Sequence, residues 1–311
     1  MENTLPKIFS LVIPCYNNEK NIPELETEIL RFYEKIKSEF RFELIVVDDF
    51  SSDKSFQLLR AWHQIAPYPV RLIRLIFNEG SHTAAYVGMK HAEGDVVAFM
   101  AADLQMNIDT LLQMLDKWKN GARLVLASRR TRQDSFMSKL MSNLFHWFIK
   151  QFVFKSAPQY GFDTVLFEKS LAEPLYGIKP QLTHFLYEFL YISPQFEEVA
   201  YDRLKRRKGK SQWTSTKKIT LFMNTLVRFG ILSVPKLKQV WLFVTSFLFI
   251  FSFIFVRLVE GSLFSFIFGI YLNICTLICF LSIIPVFRYD AYYLREFNRK
   301  SFFVIEDKIG F

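Results

Sequence analysis

The chain has 311 residues, long enough for one full domain and a further segment. Its net charge is +9, but the cations cluster beside two apolar runs near the C-terminus, which fits anionic lipid headgroups better than a basic nucleic-acid binder. Three cysteines without metal-ligand spacing indicate neither a disulfide scaffold nor a cysteine-bound metal, and Met1 to Thr4 do not open a signal peptide.

The first two-thirds alternates short apolar runs with charged helical segments. Phe9 to Ile13 reads as a strand stopping at Pro14, and a helix is predicted from about Asn21 to Phe40. Leu44 to Val47 is a second strand ending in Asp48 and Asp49, and a helix is predicted to begin near Asp53. Val70 to Ile76 is a third strand, a helix starts near Ser81, and Val96 to Met100 is a fourth strand just before Asp103. Apolar strands alternating with helices predict an α/β domain with a mainly parallel sheet covered on both faces. In such sheets ligands bind beyond the carboxyl ends of the strands, where the polar clusters of this chain fall.

Phe136, Leu140, Leu144 and Phe148 recur at helical spacing, compatible with a helix on the core or on a membrane surface. Ile219 to Phe229, with Lys217, Lys218 and Arg228 at its ends, reads as an interfacial helix. Val240 to Val259 contains one strongly polar side chain, Arg257, and Leu263 to Val286 contains no charge. Each run approaches the roughly 20 apolar residues that cross a bilayer. Lys236 and Lys238 precede the pair, and Arg288, Arg295, Arg299 and Lys300 follow it, so the positive-inside rule puts both flanks in the cytoplasm. The expected organisation is a cytoplasmic catalytic domain over 1–213, amphipathic interfacial helices over 214–238, a two-helix transmembrane hairpin over 239–287 and a cytoplasmic tail over 288–311. The protein is expected in the inner (cytoplasmic) membrane, multi-pass, with no nucleic-acid partner.

The clusters that could carry chemistry come in order. Pro14-Cys15-Tyr16-Asn17-Asn18-Glu19 follows the first strand and can be an ordinary turn or a cradle for a base and ribose. Asp48 and Asp49 follow the second strand; two adjacent carboxylates need donors, which a nucleobase N–H and ribose hydroxyls would supply. Ser51, Ser52 and Asp53 are good helix N-caps. Asp103 follows the fourth strand. Arg203 to Ser211 holds six cations and a glycine, either a solvated basic loop or a phosphate clamp, since guanidinium groups pair bidentately with phosphate oxygens. The five histidines show no ligand spacing.

Taken together, Pro-x-Tyr-Asn at 14–17, Asp-Asp-x-Ser-Ser-Asp at 48–53, Asn78-Glu79-Gly80-Ser81, Gly94-Asp95 and Asp103-Leu104-Gln105 resemble glycosyltransferase family 2, with its GT-A fold. Ser128-Arg129-Arg130, Gly161-Phe162-Asp163, Arg203-x-x-Arg206-x-x-Gly209-x-Ser211 and the two apolar runs extend the likeness, so that the chain is similar to the polyprenyl-phosphate sugar transferases of that family. The resemblance implies inverting transfer of a sugar from a nucleotide-diphosphate sugar, leaning to uridine diphosphate, to undecaprenyl or dolichyl phosphate. It implies Pro14, Tyr16, Glu19, Asp48 and Asp49 at the nucleotide, and Asp103 at Mg²⁺ or Mn²⁺ and in catalysis. It places Asp163 near the acceptor, and Arg203, Arg206, Arg129 and Ser211 at the acceptor phosphate. Arg132 pairs with Arg129 as a further candidate. The chain departs from the family pattern at Ala101, where Asp-x-Asp has its first carboxylate, and at Met106-Asn107, Val165 and Gln212. A phosphate monoester has a second pKa of about 6, so Asp163 is expected to orient groups rather than abstract a proton. A polysaccharide synthase of the same family and a non-catalytic nucleotide-sugar binder, the latter motivated by Ala101, are the competing readings; the oligomeric state, a homo-oligomer included, stays open.

Overall fold

A computed structural model describes residues 6–131, 143, 145–147, 149–151, 153–159, 161–204, 215–229, 243–251, 254, 269, 271, 274, 277 and 303–311. The chain divides into two compact units, Met1–Phe222 with Ser301–Phe311, and Met223–Lys300.

The first unit is built on an eight-stranded sheet. Its strands are β1 (Ile8–Cys15), β2 (Arg41–Asp48), β3 (Val70–Leu75), β4 (Val96–Phe99), β5 (Leu124–Thr131), β6 (Phe162–Glu168), β7 (Glu197–Asp202) and β8 (Ile305–Ile309). Their order is β7-β5-β6-β4-β1-β2-β3-β8. The centre, β4-β1-β2-β3, is parallel as the alternation predicts. The sheet as a whole is mixed, because β6 runs antiparallel to β4 and β5, and β8 antiparallel to β3.

Helices α1 (Ile22–Ile36), α2 (Ser55–Ile65), α3 (Ser81–His91) and α4 (Ile108–Lys119) join the early strands, followed by α5 (Phe185–Ile192) and α6 (Ser215–Arg228). In α1 the buried residues Ile22, Leu25, Ile29, Phe32 and Ile36 recur at three- and four-residue steps and face the sheet. Phe9, Phe32 and Phe42 meet there, with ring centroids 5.3 to 6.2 Å apart. Each such ring contributes about 1.5–3 kcal/mol by leaving water.

Three expectations change. Strand β1 runs through Pro14 to Cys15. Val12 faces β4, accepting from the Met100 N–H at 3.0 Å, and Cys15 faces β2, accepting from the Asp49 N–H at 2.8 Å. Pro14 therefore turns its missing N–H towards β4, which ends at Phe99, and no ladder bond is lost. Helix α1 stops at Ile36 rather than Phe40, whose ring is buried near Trp118 at 6.0 Å. The expected tail ends as β8, paired with β3 in the first unit.

Helix α3 lies hard against β1 and β2. A Cβ at Gly88 would sit 2.3 Å from Val12 Cγ1 and 3.2 Å from Val47 Cγ2, so glycine sets the approach that brings the start of α3 to the end of β2.

The expected transmembrane runs fall mostly outside the described residues. Among the described residues no helix is long and apolar enough to cross a membrane. Those described there include Phe243, Phe247, Phe249, Ile250, Phe251 and Ile254, all exposed. Phe136, Leu140, Leu144 and Phe148 lie outside the described residues, though the described residues 143, 145–147 and 149–151 around them are helical as expected, and 219–229 falls within α6 and the turn after it.

Candidate active site

The chain direction reverses about β1: β2 and β3 build to one side of it, and β4 to the other. Loops leaving the carboxyl ends of β1 and β4 must part, which opens a crevice, the usual ligand site of such sheets. The antiparallel strands converge on the same edge, because β6 begins where β4, β5 and β7 end. Tyr201, Arg129, Asp163, the Asp103 loop, Pro14, Asp48 and Arg74 thus follow one another along one edge. Asp163 and Asp48 lie three strand spacings apart, ~14 Å at ~4.8 Å each.

The loops after β1 and β2 are stitched together. The N–H groups of Asn17, Asn18 and Glu19 donate to Ser51 Oγ, Ser55 Oγ and Asp53 Oδ2 at 2.9, 2.8 and 3.1 Å. In return Asn17 Oδ1 accepts from Ser52 N at 2.9 Å, and Glu19 Oε2 from Lys54 N at 3.1 Å. Ser51 and Ser52 therefore serve a loop–loop seam, while Asp53 does both: Oδ2 joins the seam and Oδ1 accepts from Ser55 N, the first N–H of α2, at 2.9 Å, although the N-cap position itself is Lys54 without a side-chain bond. Glu19 is a latch of that seam. Pro14 and Tyr16 are half-buried at the crevice. Cys15 beneath them is buried, and burial followed by the charges of Asp48 and Asp53 pushes its thiol up, which rules out a thiolate nucleophile.

The adjacent carboxylates have different partners. Asp49 accepts from the N–H groups of Glu79 and Gly80 at 2.8 and 2.9 Å, one on each oxygen, and so anchors the loop before α3. Burial raises it to about 7 against the pull of those two donors. Asp48 uses Oδ2 for Ser51 N at 3.2 Å and lies 3.4 Å from Arg74 Nε. Its Oδ1 is buried with no hydrogen-bond partner. Burial raises Asp48 as well, while Ser51 and Arg74 oppose the rise. An unpaired buried carboxylate oxygen is costly, and a ligand N–H or O–H would satisfy it. Next to it Phe50 is 44% exposed, in the left-handed region at φ 62°, a conformation that costs a bulky residue about 1–2 kcal/mol. Nothing in the amino-acid pattern singles Phe50 out.

On the other wall, Asp103 is half-buried and accepts from Gln105 N at 3.3 Å. Gln105 is tied to the end of β7 by three bonds. Arg203 Nη2 donates to Gln105 Oε1 at 2.6 Å, Gln105 Nε2 donates to Leu204 O at 3.1 Å, and Leu204 N donates to Gln105 O at 2.9 Å. Arg203 Nε is buried without a hydrogen-bond partner. The Asp103 loop and the start of the basic run are therefore neighbours, a link across almost 100 residues that no local pattern reveals. Among the described residues no three His, Cys, Asp or Glu side chains gather as a metal-ion site. One carboxylate fits a cation that arrives with a diphosphate and takes its other ligands from phosphate oxygens and water.

Arg129 and Asp163, expected at the acceptor, bind each other. Arg129 Nε donates to Asp163 Oδ2 at 2.7 Å, and the Tyr201 hydroxyl donates to Asp163 Oδ1 at 2.6 Å. Burial lowers Arg129, but Asp163 and Tyr201 more than offset it, so the guanidinium stays charged. Arg132, Arg206 and Ser211 lie outside the described residues.

The fold also gathers three histidines with no shared spacing. His82 and His184 have ring centroids 4.8 Å apart, His184 lies 4.5 Å from the Tyr187 ring, and His146 Nδ1 is 3.2 Å from the Tyr187 hydroxyl. Burial lowers His82 to about 4 and His184 well below its ordinary value. A histidine of lowered folded pKa is protonated first in the unfolded chain, so its contribution is intact above pH 6.5 and is lost as pH falls towards 4. Asp49 has the opposite sign, since its raised pKa costs stability as pH rises from 4 towards 7. The two effects separate in a difference measurement. In urea unfolding followed by tryptophan fluorescence, His82→Asn is expected to remove an acid-induced loss of about 3 kcal/mol between pH 6.5 and 4. Parallel profiles for the two proteins would exclude a His82 held neutral by desolvation.

Comparison with known proteins identifies the family and the fold. The model of Glycosyl transferase family 2 matches residues 10–170, which spans β1 to β6 and both walls of the crevice. A bactoprenol glucosyl transferase of Shigella phage SfV is 28% identical over 246 residues, covering 78% of each chain. An undecaprenyl-phosphate 4-deoxy-4-formamido-L-arabinose transferase of Proteus mirabilis is 28% identical over 217 residues, 70% of this chain and 66% of its own. Among solved structures, a glucosyl-3-phosphoglycerate synthase of Mycobacterium tuberculosis in complex with Mn²⁺ and uridine diphosphate superposes with a TM-score of 0.51 at 16% identity, over 72% of this chain and 80% of the other. That likeness concerns the fold, a GT-A-like α/β sheet. With the family model covering just over half of its length, and polyprenyl-phosphate sugar transferases among its relatives, this chain belongs to glycosyltransferase family 2 and is a glycosyltransferase.

Proposed function

We propose that the enzyme moves a sugar from a uridine-diphosphate sugar to a polyprenyl phosphate at the cytoplasmic face of a membrane, with inversion at the anomeric carbon. The observation that carries this reading is the divided crevice: Asp48 Oδ1 is an unpaired acceptor on one wall, and Asp103, tied through Gln105 to Arg203, stands on the other. Asp48 receives a donor N–H from the base, and Pro14 and Tyr16 flank it. Asp49 and Glu19 act indirectly, by holding the loops that shape this wall. Asp103 would hold Mg²⁺ or Mn²⁺, and such a cation supplies charge neutralisation at the departing diphosphate.

Arg203, with Arg206 and Ser211 on the run that follows, holds anionic phosphate oxygen near the Asp103 loop. The acceptor phosphate is mostly ionised at neutral pH, as its second pKa is about 6, and attacks without a protein base. Asp163, engaged on both oxygens, orients Arg129 and Tyr201 at the acceptor end of the edge. The names of the bactoprenol and undecaprenyl-phosphate relatives support the lipid acceptor. The membrane reading is supported by the exposed apolar side chains of residues 243–254, which water penalises and a bilayer does not. The return of β8 to β3 fits an even number of crossings, as a two-helix hairpin requires.

The test is incubation of the purified full chain with labelled nucleotide sugars, Mg²⁺ or Mn²⁺, and undecaprenyl or dolichyl phosphate. Label passing into chloroform is the expected result. A growing water-soluble polymer, or no transfer with any donor, would overturn the proposal.

A further inference from the structure

We infer that Glu306, on the strand that follows the apolar segment, is a positioning residue of the donor site that acts through Arg74 on Asp48; this rests on reading Asp48 as the donor-base acceptor. Strand β8 is seated on β3 by its ladder and by the Ile76 N–H donating to Val304 O at 3.1 Å. Its far end is fastened too. Lys308 Nζ lies 2.8 Å from His91 Nε2, and the Phe311 ring packs on His91 with centroids 5.4 Å apart. Gly310 has φ 83°, and a Cβ there would stand 2.5 Å from Val70 O, so the strand end fits only as glycine.

This docking brings Glu306 Oε2 to 3.1 Å from Arg74 Nε, whose distance to Asp48 Oδ2 is 3.4 Å. Arg74 Nε thus stands between a carboxylate of the last strand and the buried carboxylate of the crevice as an ion pair, in hydrogen-bond geometry with neither. Arg74 Nη2 also donates to Ser51 O at 3.3 Å, and the guanidinium carbon lies 4.7 Å from the centre of the Phe56 ring. With Arg74 held in this place, Asp48 spends Oδ2 on protein partners and keeps Oδ1 for a ligand. Glu306 is 46% exposed, so solvent screens its charge on Arg74 and the seating of the strand matters beside the carboxylate. The residues beyond the apolar segment are in this way part of the nucleotide-binding wall.

Donor KM and kcat of the full chain test the inference. Glu306→Gln is expected to raise donor KM about 3- to 10-fold with kcat nearly unchanged, at an unaltered melting temperature. Glu306→Asp should recover part of the loss. In an Arg74→Met background Glu306→Gln should add nothing, because the relay is already cut. Gly310→Val, which unseats the strand, should raise donor KM further. An unchanged KM for Glu306→Gln, or a loss that is equal with and without Arg74, would overturn the inference. Asp48→Asn separates the two levels: if it raises donor KM while Glu306→Gln does not, only the relay fails, and if Asp48→Asn leaves donor KM unchanged, the assignment of Asp48 fails and the relay with it.

Discussion

Asp103→Asn is expected to lower kcat/KM by about 10³-fold, near 4 kcal/mol of transition-state stabilisation. The substitution keeps the size and the acceptor to Gln105 N but removes the one charge that this loop offers a cation. Ala101, where the family pattern has another carboxylate, is exposed and cannot compensate. Donor binding gives a readout apart from turnover. In titration calorimetry the wild-type chain should bind the nucleotide sugar more tightly when Mn²⁺ is present, and Asp103→Asn should lose most of that dependence. The converse change, Ala101→Asp, is expected to lower the Mn²⁺ concentration needed for half-maximal rate. Full activity in Asp103→Asn would sink the metal assignment.

Asp163→Ala is expected to cost about 3–5 kcal/mol of stability, because it strands the Arg129 guanidinium and the Tyr201 hydroxyl in a half-buried site. Activity should fall with the melting temperature. Removing both charges in Arg129→Met with Asp163→Leu should return most of the stability, since the uncompensated ion is then gone. The pair separates an orienting role from proton abstraction. If Asp163 were a general base, Asp163→Asn would reduce kcat at an unchanged melting temperature and would remove a limb of the pH–rate profile. The geometry, with both oxygens already accepting, leads us to expect the coupled loss instead.

Much of this site was legible before any fold was known, because each cluster is local. Apolar runs ending in Asp48-Asp49 or shortly before Asp103 mark strand ends, and an alternating strand–helix chain brings strand ends to one edge. The limits of the four predicted strands, β1 to β4, were legible to within three residues, with the continuation of β1 through Pro14 decided by the direction of the missing N–H; β5, β7 and β8 were not predicted. What the residues could not tell apart was the work of neighbours. Asp48 and Asp49 look equivalent in the chain, yet one is spent on Glu79 and Gly80 while the other retains an unpaired oxygen. Ser51, Ser52 and Asp53 match the pattern of helix caps, but the loop after β1 claims the two serines and one of the two Asp53 oxygens, the other accepting from the first N–H of α2. Arg129 reads as a phosphate ligand, and only the fold shows that its Nε is spent on Asp163 at 2.7 Å.

The amino-acid sequence by itself determined the α/β class, the sheet edge where the polar clusters gather and the family, because periodicity, turn chemistry and motif order are properties of neighbouring residues. Tertiary structure alone decided that Asp48 rather than Asp49 keeps an unpaired oxygen, the gathering of His82, His146 and His184, the tie between Gln105 and Arg203, and the return of β8 to β3. Each of these is a contact between side chains or strands tens to hundreds of residues apart, where only the packed sheet sets the distance.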